Sequence, residues 1–469
     1  MSNSKSLSPW TQEEAFRDTI GTLDESGKRK WIYPLSTRGR FTRARNVVAA
    51  VLLALFFAGP WVRIDGYPLL MLNVVERRFV ILGQPFWPQD FHLFVLGFLL
   101  SVVFIALLTM IFGRVFCGWV CPQTVFMEHV FRRIERWIEG DAPQRRTLDK
   151  RPWDFEKLWK KSLKHSVFFA VAFVVGNWFL MYVIGTEEWI ALVTDPPARH
   201  LGALAAMTAF SGAFYFVFAF LREQVCIVAC PYGRLQGVLL DPNSVVITYD
   251  YKRGEPRGKV GKADGDCIDC GLCVRVCPTG IDIRNGTQLE CINCTACMDA
   301  CDSIMDKVGR PRGLIRYSSL NHIARGLKLA YTGRMKFYTF VLTALAAVLV
   351  TLLVTRSEVE TTFLRTPGMT YKILDDGRIL NVYKYDLVNK THRDLHLRFK
   401  LVNAEGGELT LNNDKDTVGV PAGKLVQGMA LITFSPEAIR GRNTPIEVGV
   451  YDGDERVDRV KTNFNGPVR

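Results

Sequence analysis

Five stretches of the chain are apolar for long enough to cross about 30 Å of hydrocarbon. They cover residues 46–62, 91–112, 167–184, 201–221 and 337–354. Their length and near-absence of charge favour membrane helices over the buried helices of a soluble domain. The first is the shortest, and Gly59 and Pro60 leave its outer end open. After the fifth stretch the pattern changes from continuous to alternating. Segments ILNVYKYDLV (379–388) and DLHLRFKLV (394–402) have a period of two. Turn signals separate such runs at Asp376-Gly377, Asn389-Lys390, Gly406-Gly407, Asn412-Asn413 and Asp452-Gly453. Residues 356–469 are therefore expected to form an all-β sandwich of immunoglobulin type. Asn389-Lys390-Thr391 matches a glycosylation pattern and is read as coincidence.

Charge sets an expected orientation. Twelve Lys and Arg residues, from Arg114 to Lys164, separate the second and third stretches. The loop between the third and fourth holds Arg199 against Glu187, Glu188 and Asp195. Basic loops stay on the cytoplasmic side. The N-terminal tail (1–45) and the segment 222–336 are thus expected in the cytoplasm, and 356–469 outside it, in the periplasm. The first 45 residues end in a basic run and lack the early apolar core of a cleavable signal peptide. The net charge of +13 sits largely beside apolar segments. It points to membrane topology rather than to a nucleic-acid groove.

All 12 cysteines lie between Cys117 and Cys301. Eight form two C-x2-C-x2-C-x3-C quartets, CIDCGLCVRVC and CINCTACMDAC. This is the ligand spacing of a bacterial ferredoxin with two [4Fe–4S] clusters, in which the fourth cysteine of each quartet serves the other cluster. The expected sets are Cys267, Cys270, Cys273 and Cys301 for one cluster, and Cys291, Cys294, Cys297 and Cys277 for the other. Pro278 follows the first quartet as the motif asks, whereas Asp302 follows the second. Zinc ribbons pair C-x2-C knuckles across a longer gap and fit less well. The density of thiols without a secretory signal fits a reducing compartment better than disulfides.

The remaining four cysteines form two CxxxCP motifs, Cys117–Pro122 and Cys226–Pro231, each following an apolar stretch. Spacing of i, i+4 would put both sulfurs of a pair on one helix face. Pro122 and Pro231 can break one helix and start the next. Arg114 and Arg222 precede the pairs, Gln123 and Gln236 follow them, and the match hints at an internal repeat. Soft thiolates select Cu(I), Zn or Fe–S, and the nearby arginines would favour the thiolate form. The competing reading is buried free cysteine. Of the histidines near span ends, His92, His165 and His200 are read as anchoring or core residues, and His129 as a candidate extra ligand. Met127, Met181 and Met207 are explained as apolar membrane residues.

With both cysteine sets in place, the chain resembles the CcoG/FixG/RdxA family of accessory proteins for cbb3-type cytochrome oxidase. The resemblance rests on WIYPLSTRGRFTRARN, FCGWVCPQTVF, REQVCIVACPYGRLQ, the two quartets and the β tail. It implies a bacterial inner-membrane oxidoreductase that converts Cu(II) to Cu(I) for oxidase assembly, at Cys117, Cys121, Cys226 and Cys230. It also implies a cytoplasmic electron donor and a copper transporter or chaperone as recipient. The expected architecture is a five-span α-helical bundle with a cytoplasmic two-cluster ferredoxin domain and an immunoglobulin-like sandwich. Its divisions are 1–45, 46–221, 222–336, 337–355 and 356–469. Two other readings remain: a quinol-dehydrogenase subunit like NapH, and a non-enzymatic scaffold for oxidase assembly.

Overall fold

The computed structural model describes residues 22, 28–73, 78–262, 264–328, 331–366, 370–402, 406–411, 417–439 and 441–467. Most of the N-terminal tail and the Asn412-Asn413 turn lie outside the described residues. The chain divides into two compact units: residues up to Val62 with 70–75 and 94–347, and residues 63–69 and 76–93 with 348–469.

Among the described residues, five helices are long and apolar enough to cross a membrane: Arg40–Ala58, Pro88–Phe112, Phe155–Ile184, Leu201–Leu221 and Gly333–Val354. The first and third differ most from the apolar pattern. The first begins six residues before 46 and stops at Ala58, where Gly59 and Pro60 end it. Its early start brings Arg43 and Arg45 into the helix, and Arg45 is buried. The third runs for 30 residues, because Asp154 caps Lys157 N at 2.8 Å and carries the helix through a charged first three turns. The fourth ends in a π-turn, Val217–Leu221, which leads into Arg222 at a left-handed φ of 53°. Gly176 of the third helix meets Ser211 of the fourth so closely that a Cβ would lie 2.8 Å from its Oγ. A small residue there lets the two backbones approach.

Between the second and third spans, residues Pro122–Glu139 form an interrupted helix with a π-turn at Phe126–Phe131. Its apolar face packs Phe131 against Phe168 and Phe218, at ring separations of 4.9 and 4.7 Å. Its polar face is not solvated. Glu135 pairs with Arg145 and with Arg222, both at 2.7 Å, and Glu139 pairs with Lys161 at 2.9 Å and Lys164 at 2.8 Å. The basic run of this segment is therefore partly an internal ionic network.

The cysteine-rich segment is framed by an antiparallel pair of strands, Val246–Tyr249 and Ile315–Ser318. It carries two helices, Leu272–Arg275 and Ala296–Lys307. Ile247, Ile281, Ile283, Met298, Met305 and Leu314 fill its core.

The second unit is β-structured apart from the start of the second span, the end of the fifth and a 3-10 turn at Pro436–Ala438. Its tail strands are β1 (Val359–Arg365), β2 (Lys372–Ile373), β3 (Ile379–Asn389), β4 (Leu395–Leu401), β5 (Gly407–Leu411), β6 (Val418–Val420), β7 (Leu425–Phe434), β8 (Asn443–Asp452) and β9 (Glu455–Asn465). One sheet has the order β5-β7-β3-β1 with β2 also on β3, and the other the order β6-β4-β8-β9. Alternate residues of β3 and β4 point inward, as the period-two pattern requires. Tyr383, Leu387, Leu397, Val448, Val450 and Phe464 are fully buried between the sheets. Asn389, the apparent glycosylation site, is wholly buried. Its side chain donates to Arg393 O, Val420 O and Pro421 O, so its role is structural. Expressed alone, residues 356–469 are expected to be soluble and β-rich by circular dichroism; a helical or unordered spectrum would show that the sandwich depends on the rest of the chain.

Candidate metal centres

Each quartet winds into a loop that folds back on its own cysteines. The two loops share a backbone solution. Asp269 and Asn293, just before the second cysteine, have φ of 53° and 51°, and Gly271 and Thr295, just after it, have φ of 63° and 64°. A left-handed residue on each side of the second cysteine makes the kind of alternating turn in which backbone N–H groups form an anion-binding concavity. Three of the four are not glycine, and strain of that kind persists only where surroundings enforce it.

The loops close two cavities. One is lined by Cys291, Cys294, Cys297 and Cys277 with Ile247, Ile281, Ile283 and Ile292. The other is lined by Cys267, Cys270, Cys273 and Cys301 with Tyr249, Met305, Leu314 and Ile315. The fourth cysteine of each quartet thus lines the other quartet's cavity, and Cys273 lies on both. Burial pushes the thiols of Cys273, Cys291 and Cys301 up to about 12. Metal ligation is what ionises a thiol in such surroundings. Four soft donors, an apolar wall and inward N–H groups fit a [4Fe–4S] cubane in each cavity, and a cubane there would supply one-electron storage.

The CxxxCP motifs differ from the expected regular helix faces. Cys117 lies in the short helix Val115–Trp119, but Cys121 is already extended and precedes the helix that Pro122 starts. Cys226 lies in a π-turn, Val225–Ala229, and Cys230 is the extended residue before the helix Pro231–Leu239. Proline at the first helical position does restart each helix, as its fixed φ and missing N–H allow. All four sulfurs lie within one another's electrostatic field: Cys121 and Cys230 act on Cys117, and Cys121, Cys117 and Cys230 act on Cys226.

The arginines do not act as a matched pair. Arg114 Nη2 lies 3.9 Å from Cys117 Sγ, whereas Arg222 is bound to Glu135 and lies over the Trp31 ring. Burial outweighs the Arg114 charge and raises the Cys117 thiol. It pushes Cys226 up to about 12. Burial thus raises both thiols, and of the two arginines only Arg114 acts against it. Cys117 Sγ donates to Gln236 Oε1 at 3.3 Å, and the same oxygen accepts from Arg114 Nε at 2.7 Å. Among the described residues, no three His, Cys, Asp or Glu side chains close around one point as a mononuclear ion requires.

The two cysteine sets are packed together. Cys117 shares an apolar cluster with Cys294, Cys297, Val276 and Ile292. Gly118 lies so close to the second quartet that a Cβ would meet Ile292 O at 2.3 Å. Arg45 donates from Nε to Gly118 O and from Nη1 to Cys294 O, both at 3.1 Å. Trp119 Nε1 donates to Asn293 O at 3.2 Å, and Asn293 Nδ2 to Phe112 O at 3.1 Å. Arg45, Gly118 and Asn293 went unnoticed in the sequence. Their only trace there is an arginine at the head of an apolar helix and a polar residue inside CINC. Glu135 and Glu223 were also missed. Glu223, 1% exposed, joins Arg132 at 3.0 Å and Arg29 at 2.7 Å.

His129 does not join the thiols; its strongest charged neighbours are Arg45, Glu128 and Arg133, and burial first, then Arg45, lower it to about 4. His165 bonds Tyr215 Oη at 2.8 Å and His200 bonds Asp195 at 3.0 Å. His92 bonds Gln89 O at 3.3 Å. Met127 and Met181 are core residues, and Met207 accepts from Ser211 Oγ at 3.7 Å.

Three family models match. Residues 221–320 match a 4Fe-4S dicluster domain, residues 94–140 a 4Fe-4S binding domain, and residues 349–467 the IG-like fold at the C-terminal of FixG. The chain is 40% identical over 324 residues to the nitrogen fixation protein FixG of Rhizobium meliloti, covering 65% of this chain and 60% of that one. It is 36% identical to protein RdxA of Cereibacter sphaeroides, over 80% of this chain and 83% of RdxA. Protein RdxB of the same organism is 34% identical over 89% of this chain and 90% of its own length. Two thiol-lined cavities, an immunoglobulin-like tail and relatives matched along most of their length agree: the chain belongs to the CcoG/FixG/RdxA family of iron–sulfur electron-transfer proteins.

Proposed function

We propose that the protein is a membrane-bound cupric reductase that supplies Cu(I) for assembly of a cbb3-type cytochrome oxidase. Cys267, Cys270, Cys273 and Cys301 hold one cluster, and Cys291, Cys294, Cys297 and Cys277 the other. Cu(II) is the substrate, received at Cys117, Cys121, Cys226 and Cys230. The observation that carries this reading is that Cys117 shares one apolar cluster with Cys294, with Cys297 packed against the same cluster. It makes the buried cluster site the neighbour of a second set of soft donors. Soft thiols prefer Cu(I) to Cu(II), so ligation itself favours the reduced ion. The experiment is anaerobic: reduced protein is mixed with Cu(II), and Cu(I) is read with a selective chromogenic chelator. Failure to form Cu(I) while the clusters remain reduced would reject the reading.

In this reading the N-terminus and the cluster-bearing segment face the cytoplasm, and the β tail faces the periplasm, because the basic residues crowd the ends of the spans on one side. A reporter fused after Arg469 is expected to read as extracytoplasmic, and one inserted beside Gly258 as cytoplasmic. The reverse at either point would overturn the orientation.

One observation favours a second reading, hydroquinone oxidation. A cavity of about 400 Å³ lies between Leu240, Pro242, Val246, Leu289 and Leu320, with Asp241 and Glu290 on its wall. Its size is that of a small-molecule site, and Glu290 immediately precedes Cys291. Reduction of the clusters by a short-chain quinol would favour that reading.

A further inference from the structure

The two cluster cavities have opposite surroundings. The one holding Cys294 is covered: Arg45, Gly118 and Trp119 bond or pack against its loop. Leu35 lies in the same cluster and donates its N–H to Arg275 O at 3.0 Å. The one holding Cys267 and Cys270 has a free side. Cys270 is the exposed member of the twelve cysteines, the others being buried or half-buried.

What surrounds Cys270 is basic and partly apolar. Arg275 Nη2 reaches Cys270 O at 3.5 Å. Gly258 N bonds Cys267 O at 3.0 Å, which holds the exposed run Arg257, Lys259, Val260 and Lys262 beside the loop. Val260 is 64% exposed. The exposed acids beside it include Asp264 and Asp269; Asp269 is engaged by Arg284 at 2.5 Å, and the half-buried Glu255 lies 3.8 Å from Arg257.

We infer that this face is the docking surface for an acidic one-electron carrier protein, which delivers electrons at the Cys270 side while the Cys294 side faces the CxxxCP thiols. The inference rests on the reading of the quartets as cluster ligands. Basic charge around an exposed redox edge steers an acidic partner and sets its on-rate. The exposed Val260 gives the encounter a small apolar centre. The step balances as one electron lost by the carrier and one gained by this chain, with no bond made or broken. Each delivery replaces the one electron passed on to one Cu(II).

A reduced flavodoxin is a suitable probe, with the full chain in detergent. Binding of oxidised flavodoxin is read by its flavin fluorescence, independently of electron transfer. Lys259→Glu with Arg275→Glu is expected to raise the Kd at least about tenfold at low ionic strength, and the difference should collapse in high salt. Iron content should stay unchanged. In a second measurement, Cys270→Ala should accept electrons from flavodoxin far more slowly than the unaltered protein, while a small viologen still reduces the remaining cluster. An unchanged Kd in the charge-reversed protein, no measurable binding to the unaltered protein, or equal flavodoxin rates in Cys270→Ala would each overturn the inference. Normal docking together with no Cu(I) formation would leave it standing and reject the copper reading alone.

Discussion

Alanine at both Cys117 and Cys121, or at both Cys226 and Cys230, is expected to lower Cu(II) reduction at least about 100-fold, since even the partners of metal ligands cost 10–100-fold when removed. Each pair contributes half of the soft donors in a set whose members lie within one another's field. Iron should remain at about eight atoms per chain, two cubanes of four, because none of these cysteines lines a cluster cavity. Cys270→Ala with Cys273→Ala should do the opposite, losing iron and keeping the four thiols. Metal analysis beside a Cu(I) assay separates the cases. If hydroquinone oxidation is the activity, the CxxxCP variants should instead lose quinol-driven cluster reduction. If the thiols are merely buried apolar groups, neither readout should move. A CxxxCP double variant with full cupric reductase activity would remove the copper site.

Glu135→Gln is expected to destabilise the membrane-adjacent unit by about 3–5 kcal/mol, the cost of breaking a buried ion pair by removing one partner. Glu135 faces Arg145 and Arg222 at 2.7 Å and Lys164 at 3.6 Å, so three cations would lose their shared anion. Arg222 also sets the start of the second CxxxCP motif, and a loosened Arg222 should expose Cys226 to thiol reagents. Burial alone would raise the Glu135 carboxyl. Arg222, Lys164 and Arg145 outweigh it and hold the carboxyl well below its ordinary range. A depressed folded pKa means that this stabilisation is fully present above the ordinary carboxylate range, near pH 4–5. It is lost only as pH falls well below that range. Protection of Cys226 should therefore be flat from neutral pH down to mild acid in the native protein. Glu135→Gln should show weak protection at every pH, and full protection in that variant would show the network to be dispensable.

What the sequence disclosed followed from strict periodicity or strict spacing. The quartets fixed which cysteines share a cavity, including the exchange of Cys277 and Cys301, because a cubane leaves little geometric choice. The alternation in 379–388 and 394–402 became β3 and β4. Charge was misleading where it was internal. Lys157 and Lys164 looked like a solvated membrane flank, yet Glu139 and helix-end carbonyls bury them. The i, i+4 reasoning failed at Cys121 and Cys230 because proline ends the helix one residue too soon. The expected pairing of both arginines with thiols holds for Arg114 alone, because one sequence cannot show that Arg222 turns to Glu135. Arg45 lay hidden for the same reason: its partners are carbonyls 73 and 249 residues away.

Gly118 has a consequence for how the molecule is built. With Ile292 O where its Cβ would be, and with Arg45 bridging Gly118 and Cys294, the second ligand loop is moulded by parts of the chain synthesised long before it. Those parts lie at the ends of membrane helices. The segment 222–336 is thus not a cassette that can mature in solution and dock later. The shape of its Cys294 side therefore depends on the ends of the first two spans, and a methyl group at Gly118 would force the two apart.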